Sequence, residues 1–178
     1  LFKGPLSKRQ FNYPEKQLRN IGLYDGEIKY LDTELGKLFA WLKEKKLYDD
    51  LFIIIVADHG EQFLEHGDTR HGYKLHNEEI HVPLIIRTGR SSDSGRTVNN
   101  TVSTIDIYPT ILDRLAISIP STYQGVSLLA DKNFEGRRGV YSQIRRIYDM
   151  RSITNLSGKK LILEIPFSEK MNLAMIAE

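Results

Sequence analysis

Cysteine is absent from the 178-residue chain, which excludes disulfide bonds and thiolate metal sites and leaves the cellular compartment open. No apolar run is long enough to cross a bilayer, so we expect no membrane segment in this chain. Neither sign of charge dominates, because 25 Lys and Arg residues stand against 23 Asp and Glu residues. This balance predicts no binding to nucleic acid. An initiator methionine is also absent, and we expect the chain to be part of a longer protein.

The most informative stretch is an apolar run at residues 51–57 that is rich in β-branched side chains and stops at Asp58, His59 and Gly60. A run without alternation predicts a strand buried on both faces, as in the middle of a parallel or mixed sheet. Open α/β sheets bind their ligands at the carboxyl ends of such strands. All five histidines of the chain fall between residues 59 and 81, and this clustering is the strongest functional signal.

The rest of the chain predicts alternating helices and strands. Apolar residues at three- and four-residue steps predict an amphipathic helix from Pro14 to about Lys46, although Gly22, Gly26 and Gly36 can split off a short first helix. Residues 82–87 predict a second apolar strand. The remaining sequence predicts a polar loop at 88–100, a helix at 103–117, a loop at 118–136, an antiparallel meander from 140 and a short terminal helix at 172–178.

The residues after the first strand predict metal and acid–base chemistry. Asp58 offers a carboxyl oxygen and His59 a ring nitrogen, so neighbouring positions could hold one divalent cation. His71, on the following loop, could donate a hydrogen bond to a sulfate or phosphate oxygen, or a proton to a leaving group. The alternative is structural: Asp58 caps a turn and the histidines are solvated loop residues. The pattern of residues leaves both interpretations open.

Six blocks of the sequence, in the same order, resemble the carboxyl-terminal half of sulfatases, a family of the alkaline-phosphatase-like superfamily. They are LYDGEIKYLDTELGKL, IIIVADHGEQFLEHG, HGYKLHNEEIHVPLII, STIDIYPTILDRLAI, QGVSLL and MNLA. The resemblance implies an α/β fold: the carboxyl-terminal part of an alkaline-phosphatase-like sandwich, with a central mixed sheet flanked by helices, plus a small antiparallel sheet subdomain. We expect residues 1–136 to belong to the core and residues 137–178 to form the meander with its terminal helix.

The resemblance also implies roles for individual residues. Asp58 and His59 look like the second pair of metal ligands, with calcium the usual ion in sulfatases. His71 matches the basic position that contacts the sulfate and the leaving-group oxygen, and Lys74 is a second candidate for that contact. His66 is interpreted as shaping its loop, and His76 and His81 as surface or packing residues. Because family members are mostly exported, the resemblance favours a periplasmic, secreted or lysosomal location.

One departure from the family concerns the nucleophile. Sulfatases carry a C/S-x-P-x-R box near their amino terminus, whose first residue becomes formylglycine, and no such box occurs here. Ser118-Ile119-Pro120-Ser121-Thr122 begins like the box but ends in threonine. The first pair of metal-binding aspartates is missing as well, so we expect the amino-terminal half of the same enzyme as the partner of this chain. The family's tyrosine-rich stretch before NLA is absent or shortened around residues 165–169.

Three functions are therefore compared. The first is part of a metal-dependent sulfatase-like hydrolase that cleaves sulfate esters, inactive as this chain alone. The second is phosphoryl chemistry on the same scaffold, in a phosphonate monoester hydrolase or a phosphoglycerol or phosphoethanolamine transferase, with a phosphate-ester substrate and manganese, magnesium or zinc as the ion. The third is a non-catalytic fragment or subunit that holds half a metal site.

Overall fold

The computed structural model describes residues 13–89, 95–129, 139–146 and 148–165. They fall into two compact units: one contains the chain up to residue 72 together with residues 76–95, and the other contains residues 73–75 and the chain from residue 96. The predicted domain boundary between residues 136 and 137 lies outside the described residues and stays a prediction. The predicted terminal helix at 172–178 and nearly all of the loop predicted for the first 13 residues also lie outside them.

The first unit begins with one long helix, α1, spanning Glu15–Glu44. The predicted helix is confirmed, but the predicted interruption at Gly22, Gly26 and Gly36 is wrong, because α1 is continuous. Lys46 ends the helix with a left-handed φ of 57°, and the Leu47 N–H then bonds to the carbonyl of Leu42 at 2.9 Å. Although α1 is long, neither it nor another helix of the described residues is apolar enough to cross a membrane.

The apolar run after α1 forms strand β1, Ile53–Val56, which pairs with β4, Leu84–Arg87. Both predicted strands are confirmed. The pairing is antiparallel, with Ile54 opposite Ile86, and within the described residues β1 has β4 as its one partner strand. The prediction that both faces of β1 are buried is wrong for the described part of the chain, where Val56 of β1 is exposed, as is Ile85 of its partner strand. Burial on both faces requires layers on both sides of the sheet, which the described residues do not supply.

The segment between β1 and β4 carries the histidines and contains three short elements. Strands β2, Gln62–Phe63, and β3, Thr69–Arg70, form a small antiparallel hairpin. A single helical turn, α2, spans Asn77–Ile80 and precedes β4. These short elements fold the segment back toward the end of β1, because the Gly60 N–H bonds to the carbonyl of Glu79 at 2.7 Å.

In the second unit, the predicted helix at 103–117 is present as a 3₁₀ turn, Thr104–Asp106, that continues into α3, Ile107–Arg114. Ser103 and Asp106 form a capping box, so the reciprocal bonds of their side chains start the turn. Asp106 is fully buried and also accepts the Val126 N–H at 3.0 Å. Gly125 lies so close to the turn that a Cβ atom there would overlap the carbonyl oxygen of Ile105. These contacts hold the QGVSLL block against the 3₁₀ turn.

Three antiparallel strands complete the second unit, and they confirm the predicted meander. They are β5, Val140–Arg145; β6, Asp149–Thr154; and β7, Lys160–Ile165, in the order β5-β6-β7. The Arg151 guanidinium lies 2.8 Å from the carboxyl group of Asp149, and hydrogen bonds from Arg151 and Gln143 hold the pKa of Asp149 below its usual value. On the opposite face of β6, Met150 and Ser152 are buried.

Candidate active site

Asp58 and His59 lie where β1 ends, with Ala57 between the strand and the pair. The Asp58 side chain is 89% exposed, and its Oδ1 accepts the His59 backbone N–H at 2.9 Å. This bond joins adjacent residues, whereas a carboxyl group that caps a turn accepts an N–H two residues further on, so turn capping by Asp58 stays a prediction. The bond occupies one carboxyl oxygen and leaves Oδ2 directed to the His59 ring, at 3.7 Å from Nε2.

The backbone fixes which nitrogen of His59 is free to bind a cation. Nδ1 lies 2.9 Å from the carbonyl oxygen of Gly60. A carbonyl oxygen can only accept, so Nδ1 donates and the lone pair of the neutral ring is on Nε2. Metal-binding histidines usually donate their second nitrogen to a carbonyl or a carboxyl group in this way. His59 therefore presents Nε2 beside the Oδ2 atom of Asp58.

His71 lies against this pair although 11 positions separate it from His59 in the sequence. Its ring stacks on the His59 ring with centroids 3.8 Å apart and 26° between the planes. Its Nδ1 is 2.8 Å from Glu61 Oε2, which leaves Nε2 as the ring nitrogen available to another molecule. Left-handed residues flank it, since φ is 77° at Arg70 and 79° at Gly72. The loop thus turns sharply on both sides of His71.

The donor set of Asp58 and His59 fits half of a divalent-metal site. Bonds of about 2.0–2.4 Å to one ion are compatible with a nitrogen and an oxygen that lie a few ångströms apart. Within the described residues, no group of three His, Cys, Asp or Glu side chains is arranged to hold a metal ion. The remaining ligands of a six- or seven-coordinate ion would have to come from outside these residues.

Lys74, the second candidate for the anion contact, belongs to the other compact unit. Its Nζ lies 3.3 Å from Glu164 Oε2 and 5.7 Å from the centre of the Tyr148 ring. Nearby, the guanidinium of Arg146 stacks on the Tyr73 ring at 4.4 Å, and Lys160 donates to the Leu75 carbonyl at 3.2 Å. Residues 73–75 are thus anchored to the meander through two side chains and one backbone carbonyl.

Two of the other three histidines form a second pair in the first unit. The rings of His66 and His76 stack in parallel, with centroids 3.7 Å apart and 3° between their planes. His66 Nδ1 is 3.5 Å from Glu78 Oε2, and His81 is exposed at the end of α2. These contacts agree with the interpretation of His66 as a residue that shapes its loop, and of His76 and His81 as packing or surface residues.

Sequence reasoning missed Glu61, Gln62 and Glu79. Glu61 bonds to the ring of His71, and Gln62 donates from its side chain to the side chain of Glu79. A glutamate in a polar loop gives no signal of such contacts, because its partners are distant in the sequence. Gln62 and Glu79 are almost fully buried, and nothing in the sequence signals the burial of these polar residues.

A sequence model of the sulfatase family matches residues 2–117, which is more than half of the chain. The chain therefore belongs to the sulfatase family. It is similar to arylsulfatase K of Homo sapiens, with 35% identity over 120 residues, and to the multifunctional alkaline phosphatase superfamily protein PehA of Trinickia caryophylli, with 37% identity over 118 residues. These alignments cover 66% and 65% of this chain but 22% and 23% of the relatives, so the chain spans about a fifth of their length.

A solved structure gives the same assignment of the fold. The phosphonate monoester hydrolase of Agrobacterium radiobacter superposes with a TM-score of 0.61 and 25% identity over 79% of this chain and 34% of its own. The predicted fold class, an alkaline-phosphatase-like α/β fold with a small antiparallel sheet, is thereby confirmed.

Proposed function

We propose that this chain is the carboxyl-terminal part of a metal-dependent sulfatase-like hydrolase that cleaves sulfate esters. The observation that carries the proposal is the convergence of Asp58, His59 and His71 at the end of β1, in a chain of the sulfatase family. The intact enzyme then needs the nucleophile and the first pair of metal ligands from the family's amino-terminal half. This chain alone is inactive.

Asp58 and His59 are the proposed ligands for a divalent ion, calcium by family resemblance. When bound, the ion supplies electrostatic stabilisation of the charge that develops on the sulfate oxygens. The chain's own residues keep the donors in place: Gly60 holds His59 Nδ1, and the backbone of His59 holds Asp58 Oδ1. Both contacts involve main-chain groups, so the two donors do not depend on distant side chains for their local orientation.

His71 is the proposed catalytic and substrate-contacting residue. Glu61 holds Nδ1, which directs Nε2 away from Glu61 toward an incoming ester. An imidazolium at this position donates its Nε2 proton to the leaving-group oxygen as the sulfur–oxygen bond breaks, and the ring is left neutral. Lys74 stays a second candidate for contact with the sulfate, although its ammonium lies beside Glu164 in the second unit.

Phosphoryl chemistry is the alternative that the comparisons favour next. A phosphonate monoester hydrolase shares the fold, and PehA is similar over two thirds of the chain. Manganese, magnesium or zinc would then replace calcium. A non-catalytic fragment or subunit that holds half a metal site is the third candidate. Family resemblance also favours export of the enzyme, which cell fractionation would test.

The test uses the intact enzyme with paired aryl sulfates that have good and poor leaving groups, and the matching phosphonate esters. We expect turnover of the sulfates, and His71→Ala should lower turnover of the poor leaving group by about 10²–10⁴-fold while activated esters lose far less. Metal content should stay unchanged. The matched control is His66→Ala, which removes a histidine of the same segment that stacks on His76 instead.

Each result separates the candidates. Equal losses on both kinds of ester would make His71 a binding residue, and a lost metal ion would make it a ligand. Hydrolysis of the phosphonates in preference to the sulfates would favour the phosphoryl alternative. Inactivity of the intact enzyme on all of these esters would contradict the first two candidates and leave the non-catalytic one.

A further inference from the structure

Glu79 connects the segment that carries Asp58 and His59 to the segment that carries His71, although it lies outside both. Its backbone carbonyl accepts the N–H of Gly60, the residue after His59, at 2.7 Å. Its side-chain Oε2 accepts the N–H of Gly72, the residue after His71, at 2.6 Å. One residue of a short helical turn therefore holds the peptides that directly follow both histidines.

The side chain of Glu79 is buried, with a residue exposure of 3%, and so is Gln62, at 1%. The Gln62 amide donates to Oε1, the second carboxyl oxygen of Glu79. Buried polar groups are costly unless they are bonded, so this pair restricts where the carboxyl group of Glu79 can lie. Its position in turn fixes the position of the Gly72 peptide.

The backbone supports the same connection at Gly60. A Cβ atom on residue 60 would overlap the carbonyl oxygen of Glu78, so only glycine allows this peptide to approach α2 so closely. On the other side, Arg70 and Gly72 both have left-handed φ values around His71. Arg70 is not glycine, so its conformation is strained and persists only because the surrounding structure holds it.

We propose that Glu79 is a positioning residue that sets the separation of His59 and His71 through the hydrogen bonds that it accepts from the backbone N–H groups of Gly60 and Gly72. The inference rests on the proposed function for its catalytic consequence, because it presumes that His59 holds the ion and His71 acts on the substrate. The structural part is independent of that function. It states that the stacked contact between the two rings, now 3.8 Å between centroids, depends on the carboxyl group of Glu79.

The structural test uses NMR of the 178-residue chain at a concentration at which sedimentation shows it to be monomeric. The wild type should show a coupling across the hydrogen bond between the Gly72 amide nitrogen and the Glu79 carboxyl carbon, together with NOEs between the rings of His59 and His71. Glu79→Leu removes both side-chain acceptors and should abolish the coupling and the ring NOEs. Unchanged amide shifts in β1 and β4, which lie in the same compact unit as Glu79, will show that this unit remains folded.

Glu79→Gln is the conservative variant and should rescue the ring contact. Its oxygen can accept the Gly72 N–H. Its amide can donate to Gln62 Oε1 once the Gln62 amide group turns over, because in the wild type the Gln62 NH2 group faces Glu79 and Oε1 has no hydrogen-bond partner. Glu78→Leu is the matched control on the same helical turn, because the Glu78 carboxyl group lies beside His66 and not beside Gly72. It should keep the coupling and the NOEs.

Ring NOEs that survive in Glu79→Leu would overturn the proposal, as would a wild type without the coupling between Gly72 and Glu79. Equal losses in Glu79→Gln and Glu79→Leu would also overturn it, since a hydrogen-bonding role requires rescue. If Glu79→Leu does not fold, the wild-type coupling and the Glu79→Gln variant still decide the question.

In the intact enzyme, Glu79→Leu should lower kcat by about 10²-fold with little change in KM, because displacing a catalytic group by about 1 Å has an effect of this size. Glu79→Gln should retain most of kcat. A kcat that Glu79→Leu leaves unchanged would contradict the positioning role. Inactivity of the wild type would contradict the proposed function alone, because the NMR results on the chain would stand.

Discussion

Asp58 illustrates how much of the candidate site is local at the scale of single residues. One of its carboxyl oxygens accepts the N–H of the next residue, and the other lies 3.7 Å from the ring nitrogen of that same residue. The bond to the His59 N–H therefore holds the carboxyl group of Asp58 beside His59 Nε2, as the proposed metal site requires.

Metal binding by this chain alone is the prediction at this scale. Asp58 and His59 supply two donors, whereas calcium takes six to eight oxygen ligands, so we expect binding no tighter than about 10⁻³ M. Calorimetric titration with calcium and with manganese measures the affinity. Asp58→Ala is the control, and micromolar binding that this variant leaves intact would place the site elsewhere.

The elements differ in how closely they follow the pattern of the sequence. The meander forms as predicted, because alternating residues and the Asn155–Gly158 turn specify its pairing locally. Helix α1 also forms, but its glycines do not break it. Gly22, Gly26 and Gly36 have no neighbouring atoms within 4 Å of an added Cβ. Glycine in a helix lowers its stability without ending it, provided that the residues around it favour the helix.

Gly26→Ala should therefore stabilise the chain by about 0.5–1 kcal/mol, because alanine loses less backbone entropy on folding and meets no steric conflict. Urea unfolding followed by far-UV circular dichroism measures the change. Gly67→Ala is the matched control: its added Cβ also meets open space, but its φ is 84°. That variant should be destabilised, and a gain of stability from both substitutions would show that backbone conformation is not the cause.

For the molecule as a whole, the apolar stripe of α1 is the feature that calls for an explanation. Leu31 is 58% exposed and Trp41 is 50% exposed. Other large apolar residues of the helix are also exposed: Leu18, Leu23, Tyr24, Ile28, Tyr30 and Leu38. Exposed apolar surface on this scale marks an interaction site or a tendency to associate. The chain spans about a fifth of the length of its relatives, which agrees with a surface that further polypeptide covers in the proposed enzyme.

The isolated chain should consequently self-associate and bind apolar dyes. Replacing Leu23, Leu31 and Trp41 with glutamine should lower both effects without loss of helix content, since these side chains are already exposed. Sedimentation and dye fluorescence measure the outcome. A wild type that stays monomeric and binds no dye would contradict this view of the α1 surface.

The sequence by itself determined the features that neighbouring residues control. The helix periodicity predicted α1, and the β-branched run predicted β1. The end of that run predicted that Asp58 and His59 lie just after the strand. The six family blocks predicted the fold class as well, because their order along the chain follows the family fold. For α1 and β1 the pattern repeats along one element, so neighbouring residues are enough to predict it.

The tertiary structure decided which distant residues meet. No periodicity of the sequence connects the residues that meet at the site. His71 stacks on the His59 ring and bonds to Glu61, and Glu79 accepts hydrogen bonds from Gly60 and Gly72. The antiparallel partner of β1 and the exposure of its side chains were likewise decided by which chain segments surround it. Burial and hydrogen bonding depend on the whole set of neighbours in space, whereas a sequence pattern reports only the neighbours along the chain.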